Sequence, residues 1–425
     1  MSITTQRFSI TVAMLLAGVF VLALGIRLVF LFQVWPKLNA AADIDWYRSV
    51  ARNLVAGNGY VAEQDPGHLR LVLTRTPVYP VFLAALMTFG GDRLVLFLIV
   101  QCILGAATCA VTALLTARWL PWKWACAAGG LVAIDPNSVM RCADLRDETL
   151  FALLLVLGVC MISWHGSRLW VWLASGLVWS VAALCRPGMA WLGFVPVVVG
   201  LAWRVRGACL FAFLGMYLSL LCCWATRNHV VTGQWMISTA VTENLLLQRA
   251  ASVEGARTGS TRDEMRARLY REYGDVEFFH DRDTLANNLG RYRGAARDIL
   301  FASPLLTLRQ MAVDVAKVLL APGKVNLAHM MKNQPRPSRW WPPFYSAGLV
   351  IAFILSIYGA VKLGRSGLLL MLLVPSVLMV SLGSSRFRTQ ITPMLATLTV
   401  IAMYTLSWRG GIGQAVIERQ LAKRS

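Results

Sequence analysis

Apolar residues in this chain come in long unbroken runs, not in the alternating or one-face patterns of a soluble fold. The runs cover about Phe8–Phe32, Leu94–Leu115, Trp124–Ile134, Thr149–Trp164, Leu169–Cys185, Gly188–Trp203, Ala208–Ala225, Phe344–Val361, Gly367–Leu382 and Ile391–Trp408. A helix needs about 20 such residues to cross a ~30 Å hydrocarbon core. The pattern predicts an all-α polytopic membrane protein with about ten transmembrane helices. The Trp124–Ile134 run is short, so its helix is expected to start earlier. The first run is about 25 residues long and has no small-residue cleavage pattern, so it reads as a retained span, not a signal peptide.

Two polar stretches interrupt the runs. They divide the chain into an N-terminal membrane bundle (1–228) with a first loop at about 35–92, an extracytoplasmic region (229–341), and C-terminal membrane helices with a basic tail (342–425). In the first loop, Ala42–Tyr60 predicts a short amphipathic helix that starts at Asp43 and stops at Gly57-Asn58-Gly59. In the second, Arg262–Tyr273 mixes acids and bases and reads as a solvated helix. Leu300–Leu320 imitates a span, but it contains Pro304, Arg309, Asp314 and Lys317. Its apolar positions Leu305, Leu308, Ala312, Val315 and Leu319 share one helical face, which predicts an interfacial amphipathic helix.

Composition agrees with this class. Of 425 residues, 57% are hydrophobic and 15% charged, with a mean hydropathy of +0.58, far from soluble norms. The formal charge of +20 would suggest nucleic acid in a soluble protein; here it divides by membrane side. Arg118/Lys123, Arg168, Arg204/Arg206, Lys362/Arg365 and the tail (Arg409, Arg419, Lys423, Arg424) all fall on one face, which is then cytoplasmic. The Asp43 loop, Arg141–Glu148, the 229–341 region and Arg386/Arg388 share the opposite face. Four separated segments meeting there is how an active site would be assembled. The nine Cys show no metal-ligand spacing and read as small packing residues. Cys142 alone faces the outer side, with no evident partner.

The candidate chemistry sits on that face. Asp43 and Tyr47 share one side of the helix, while Asp45 points about 160° away, so one acid faces the site. A carboxylate there can act as a base, as a metal ligand or as a helix cap. Arg75 in Arg75-Thr-Pro-Val-Tyr79-Pro80 suits a lipid phosphate, since it stays charged and binds bidentately. Arg141, Arg146 and Glu148 flank the start of the fourth span, where Glu148 could equally cap the helix. Arg186 ends the fifth span, where a snorkelling anchor is at least as good a reading. Arg386 and Arg388 lie on the side where positive charge is disfavoured, which points to phosphate binding. His229 has no second His at ligand spacing and is not counted as a metal ligand.

Taken in order, these motifs resemble the GT-C glycosyltransferases that use polyprenyl-phosphate sugars, the group of protein O-mannosyltransferases and the aminoarabinose transferase of lipid A. The matching pieces are Asp43-x-x-x-Tyr47, Arg75-x-Pro-x-Tyr79-Pro80, the Asp135-Pro136 exit to Glu148-Thr-Leu-Phe, Arg186-Pro187, Arg227-Asn228 with Gly233, and Arg386-Phe-Arg388 with Pro393. No single motif is specific; their order over about Arg27–Ala396 is. Asp147 departs from the family pattern, which has Ser there. The resemblance implies a GT-C bundle with extracytoplasmic juxtamembrane helices, a polyprenyl-phosphate sugar donor, inverting transfer and, in many members, a divalent cation (Mg, Mn or Zn). It puts the catalytic role on Asp43, substrate binding on Arg75, Tyr79, Glu148, Arg141, Arg386 and Arg388, and a metal on Asp43 and Glu148. The implied partners are the lipid-linked donor, a lipid, glycan or protein acceptor, and membrane lipids, with no nucleic acid. The implied location is the plasma membrane with the site outside. Two other classes compete: a polymerase or ligase of lipid-linked glycans, and a transporter or flippase without covalent chemistry.

Overall fold

The structure is a computed structural model and describes residues 10–33, 43–65, 68–165, 168–276, 282–322, 341–380 and 382–407. The basic tail expected after Trp408 lies outside them. The first apolar run is helix α1 (Ile10–Gln33). The first loop carries α2 (Asp43–Val55), which ends at the Gly57-Asn58-Gly59 stop, then strands β1 (Val61–Asp65) and β2 (His68–Leu71), then α3 (Val78–Gly90). The two strands pair antiparallel, Val61 opposite Leu71, a small addition to the all-α expectation. Next come α4 (Leu94–Thr116), α5 (Trp122–Ile134), the short α6 (Pro136–Cys142), α7 (Glu148–His165) and α8 (Leu169–Cys185). As expected, α5 starts before Trp124. The sixth run is not one helix: a 3-10 segment, Pro187–Gly193, leads into α9 (Phe194–Ala202). Helix α10 (Gly207–Thr232) is the longest of the set.

The 229–341 region is helical: α11 (Ala240–Asn244), a π-helical turn at Leu245–Ala250, α12 (Ala251–Thr258), α13 (Arg262–Tyr273), α14 (Arg282–Ala302) and α15 (Pro304–Leu320). Thr261 and Glu264 form a capping box on α13. The last helices are α16 (Trp341–Leu363), α17 (Leu368–Val380) and α18 (Arg388–Ser407). Among the described residues, five helices are long and apolar enough to cross a membrane by length and composition alone, and several shorter apolar helices accompany them. Apolar side chains on α1, α10 and α16 point outward: Ile10, Met14, Phe211, Ile354 and Val361 are all exposed. In water that would be costly; against lipid tails it is not.

Hydrogen bonds identify the two ends of the bundle. At one end Arg118 on the α4–α5 turn donates to the carbonyl of Ser163, and the Trp203 indole donates to the carbonyl of Arg365. At the other, Tyr345 near the start of α16 meets Arg388 at the start of α18. Helices α16 and α17 therefore form a hairpin whose turn, Gly364–Gly367, lies at the Arg365 end. Between α16 and α18 the approach is close: a Cβ on Gly359 would run into the Leu398 carbonyl.

Two spans are short. Helices α5 and α17 have 13 residues each, a rise of about 20 Å against a ~30 Å core. Each follows a tight turn after a longer neighbour, α4 or α16, and ends short of that neighbour's far end. The α5–α6 junction and the segment after α17 thus lie in a recess at the end of the bundle away from Arg118 and Arg365.

The Leu300–Leu320 segment is two helices, not one. The chain bends by 99° between α14 and α15, where Pro304 takes the first-turn position, which needs no backbone donor. Midway along α15, Asp314 pairs with Arg249 at 2.8 Å. Its last carbonyls take bonds from Arg388. Both the middle and the end of α15 are thus held at the recess, so the helix does not cross to the other side. Gly383, at φ +69°, lies against the Asp314 carboxylate, where a side chain would clash.

Candidate active site

The floor of the recess is α6 and the six residues that follow it. Asp135 caps α6 by accepting from the Ser138 N–H at 2.9 Å and its hydroxyl at 2.6 Å. Pro136 fits the first turn. One turn on, Arg141 reaches Asp144 at 2.7 Å, and Arg146 reaches the same carboxylate oxygen at 3.0 Å. Gln101 of α4 donates to the carbonyls of Cys142 and Asp144, fixing the loop to the bundle. Burial pushes the Asp144 carboxyl above its ordinary value, against the pull of Arg146 and Arg141.

Glu148 opens α7 and is 2% exposed. Its Oε1 lies 3.4 Å from Arg186 and 3.9 Å from Arg386; its Oε2 is buried with no hydrogen-bond partner. Arg186 also binds Asp147 Oδ1 at 3.0 Å. Phe387 is faced by both guanidinium groups, Arg186 at 4.9 Å and Arg386 at 5.4 Å from its ring centre. From the first loop, α2 supplies Tyr47, whose ring meets Tyr79 edge-on at 4.9 Å and lies under Arg75 at 5.3 Å. Arg75 and Tyr47 both sense the charges of Asp147. The segment leading to Arg75 is fastened from two sides: Tyr60 donates to the Arg75 carbonyl and Ser238 to that of Thr74.

The sequence-predicted residues divide accordingly. Arg75, Arg141, Glu148 and Arg386 come together with Arg146, Asp144, Asp147 and Arg186. Tyr79 does not face the recess. It is fully buried, its hydroxyl donates to Gln101 at 3.0 Å, and its ring supports Tyr47. Arg388 also turns away. It is 2% exposed and donates to the carbonyls of Val318, Leu319 and Ala321 and to the Tyr345 hydroxyl. Its role is to hold α15, because its η-nitrogens are spent on fixed acceptors. Cys142, expected to face outward, is buried. His229 stacks on Trp235 at 4.3 Å. Asp43 is the first residue of α2, four positions before Tyr47, but the side chains of Asp43 and Asp45 lie outside the described residues. Arg186 and Asp147 belong to the cluster yet were left out of the predicted set. The Arg186-Pro187 signal was present in the sequence, but a snorkelling anchor explains it equally well.

A divalent cation fits poorly on the described groups alone. No three His, Cys, Asp or Glu side chains converge among the described residues. Glu148 Oε1 and Asp147 Oδ1 each face a guanidinium, while Glu148 Oε2 is a buried oxygen without a hydrogen bond. The only further carboxylate proposed for a metal is that of Asp43.

No protein-family model and no curated protein matches the chain. Solved structures do. The oligosaccharyltransferase of Archaeoglobus fulgidus, tethered to an acceptor peptide containing the NVT sequon, superposes with a TM-score of 0.54 at 12% identity, covering 99% of this chain and 54% of that one. The same enzyme in complex with Zn and sulfate gives 0.54 at 12% identity over 96% and 50%. ArnT from Cupriavidus metallidurans bound to undecaprenyl phosphate gives 0.41 at 18% identity over 92% and 79%. The chain spans about half the length of the oligosaccharyltransferase. At this identity the likeness is one of fold: a helical polytopic membrane bundle like that of the oligosaccharyltransferase.

Proposed function

We propose that this protein is a GT-C membrane glycosyltransferase that moves a sugar from a polyprenyl-phosphate donor to an extracytoplasmic lipid, glycan or protein acceptor. One observation carries the reading. In a recess at the outer ends of the spans, Arg75, Arg141, Arg146, Arg186 and Arg386 gather around Asp144, Asp147 and Glu148. Among the described residues guanidinium groups outnumber carboxylates there, a balance that suits a bound anion. Arginine is the side chain suited to phosphate oxygens. A carrier lipid reaches a recess in the membrane plane by lateral diffusion. The fold, shared with an oligosaccharyltransferase, supports the same reaction class.

In this reading Arg386, Arg75 and the Arg141/Arg146 pair hold the donor phosphate. Asp43, at the head of α2, takes the proton of the acceptor hydroxyl. The hydroxyl oxygen bonds to the anomeric carbon as the bond from that carbon to the phosphate oxygen breaks. The electron pair leaves with the phosphate, whose charge the arginines stabilise. A single displacement of this kind inverts the anomeric centre. Asp43 and Glu148 are the carboxylates a divalent cation would use, but no step here runs through one. The positive charge on the opposite face supports a site outside the cytoplasm, and a plasma-membrane location is part of the same reading.

The test is mass spectrometry of envelope lipids, glycans and proteins from cells with the protein, without it, and with Asp43→Asn. A mass difference of one sugar, absent in both the deletion and the Asp43→Asn cells, is expected. Products differing by many sugar units would favour a polymerase or ligase. No covalent difference, with uptake of a solute into sealed vesicles, would replace the reading with a transporter.

A further inference from the structure

Two residues apart on one turn, Arg386 and Arg388 face opposite ways. Arg386 enters the recess beside Glu148. Arg388 donates to three carbonyls at the end of α15, at 3.0, 3.4 and 2.9 Å. A helix C-terminus is a favourable place for a cation, because its carbonyls lack helical partners and carry the negative end of the dipole. The same guanidinium donates to the Tyr345 hydroxyl at 3.0 Å, and that hydroxyl donates to Asp135 Oδ1 at 2.5 Å. The other Asp135 oxygen caps α6 through Ser138. A second link runs in parallel: Asn137 of α6 donates to the Ser385 carbonyl at 2.9 Å and to the Thr389 hydroxyl at 2.8 Å.

The result is a continuous strut. It starts at the α15 carbonyls, passes through Arg388, Tyr345 and Asp135, and ends on α6. The helix at one end carries Arg141, and the turn in the middle carries Arg386. Asp135 and Arg388 are opposite charges that do not touch; the Tyr345 hydroxyl relays between them. Aspartate capping α6 and arginine capping α15 would each be content without the tyrosine. Tyr345 adds a fixed distance between the two arginine-bearing segments.

We infer that Asp135, Tyr345 and Arg388 are positioning residues that set the spacing of Arg141 and Arg386 to fit one phosphate group. This rests on the donor-site reading above. A bidentate anion site depends steeply on spacing, since a fraction of an ångström separates a good hydrogen bond from a poor one.

The test uses the full chain in nanodiscs with tritiated undecaprenyl phosphate and the uncharged polyprenol as probes, on wild type and on Tyr345→Phe, Arg388→Lys, their double variant and Arg386→Ala. Tyr345→Phe removes one hydroxyl and no charge. It is expected to weaken phosphate binding about tenfold with polyprenol binding unchanged, alongside a modest fall in Tm because Arg388 and Asp135 each lose a bond. Arg388→Lys keeps the charge but cannot serve the carbonyls and the hydroxyl together. The double variant should be no weaker than the weaker single one, since both cut the same strut. If Tyr345→Phe binds like wild type while Arg386→Ala binds weakly, the strut is wrong and the donor site stands. If Arg386→Ala also binds like wild type, the donor-site reading fails and takes this inference with it. A loss in Tyr345→Phe that affects polyprenol equally would mean plain structural support and overturn the positioning role.

Discussion

The recess and the first loop both use arginine–carboxylate pairs, but in different surroundings. In the recess, Glu148 is 2% exposed and its side chain lies within 4 Å of both Arg186 and Arg386. In the first loop, Asp92 receives Arg48 at 3.0 and 2.9 Å and Arg52 at 2.5 Å. There the side chains of Asp92 and Arg52 are 29% and 51% exposed. The loop pair is geometrically better, and it clamps α2 to the start of α4. Yet water screens it, and such pairs are worth about 0–1 kcal/mol. The two Glu148 pairs are longer, at 3.4 and 3.9 Å, but this carboxylate is buried, where losing a partner costs more. Exposure marks the clamp; burial of a carboxylate among several guanidinium groups marks the site.

Substitutions in the two regions should separate by size. Glu148→Ala should have the largest effect, because it leaves buried Arg186 with Asp147 alone and half-buried Arg386 without its nearest carboxylate. A cost of about 3–5 kcal/mol and loss of transfer are expected, read as Tm and as product formed. Arg386→Ala should lower transfer by about 100-fold, as loss of one charge-stabilising donor does, with a smaller change in Tm. Asp314→Ala removes the partner of Arg249 on α15, away from the acids of the recess. It should lower Tm by an amount corresponding to about 1–3 kcal/mol and leave the affinity for donor lipid within a few-fold.

Asp92→Asn should be mildest, at or below about 1 kcal/mol, with its main effect on pH dependence. Partial burial would raise the Asp92 carboxyl, but the bonds from Arg52 and Arg48 outweigh it and hold it below its ordinary value. The clamp's contribution is therefore present above the unfolded carboxylate value and lost as pH falls through the depressed one. Wild type should lose its advantage over Asp92→Asn in Tm on acidification. A constant difference across that range would show that the clamp does not titrate.

The all-helical membrane class and most of the apolar helices were legible because hydropathy is a local signal. So was α2, with Gly57-Asn58-Gly59 stopping it. The hairpin was missed although Asp65-Pro66-Gly67 is a turn signal. The break in Leu300–Leu320 was marked by Pro304 but read as part of one helix. The roles of Arg386 and Arg388 could not be separated. Both flank the same span, and only the 3-10 turn at Ser385–Phe387 and the arrival of α15 decide which one enters the recess. Asp135-Pro136 was recognised as a span exit, but its bond to Tyr345 joins residues far apart in the chain, which no spacing rule reveals. Tyr79 looked like a binding residue because it shares a motif with Arg75. Its burial depends on Gln101 in another helix.

The central claim is that the recess arginines seat the carrier phosphate. The most direct measurement is a cryo-electron microscopy map of the protein in nanodiscs with undecaprenyl phosphate. The account predicts phosphate density within hydrogen-bonding distance of Arg386 and of Arg75 or the Arg141/Arg146 pair, with the prenyl chain leaving sideways into the lipid. A phosphate seated at the Arg48–Arg52–Asp92 clamp, or anywhere away from Glu148 and Arg186, would contradict it.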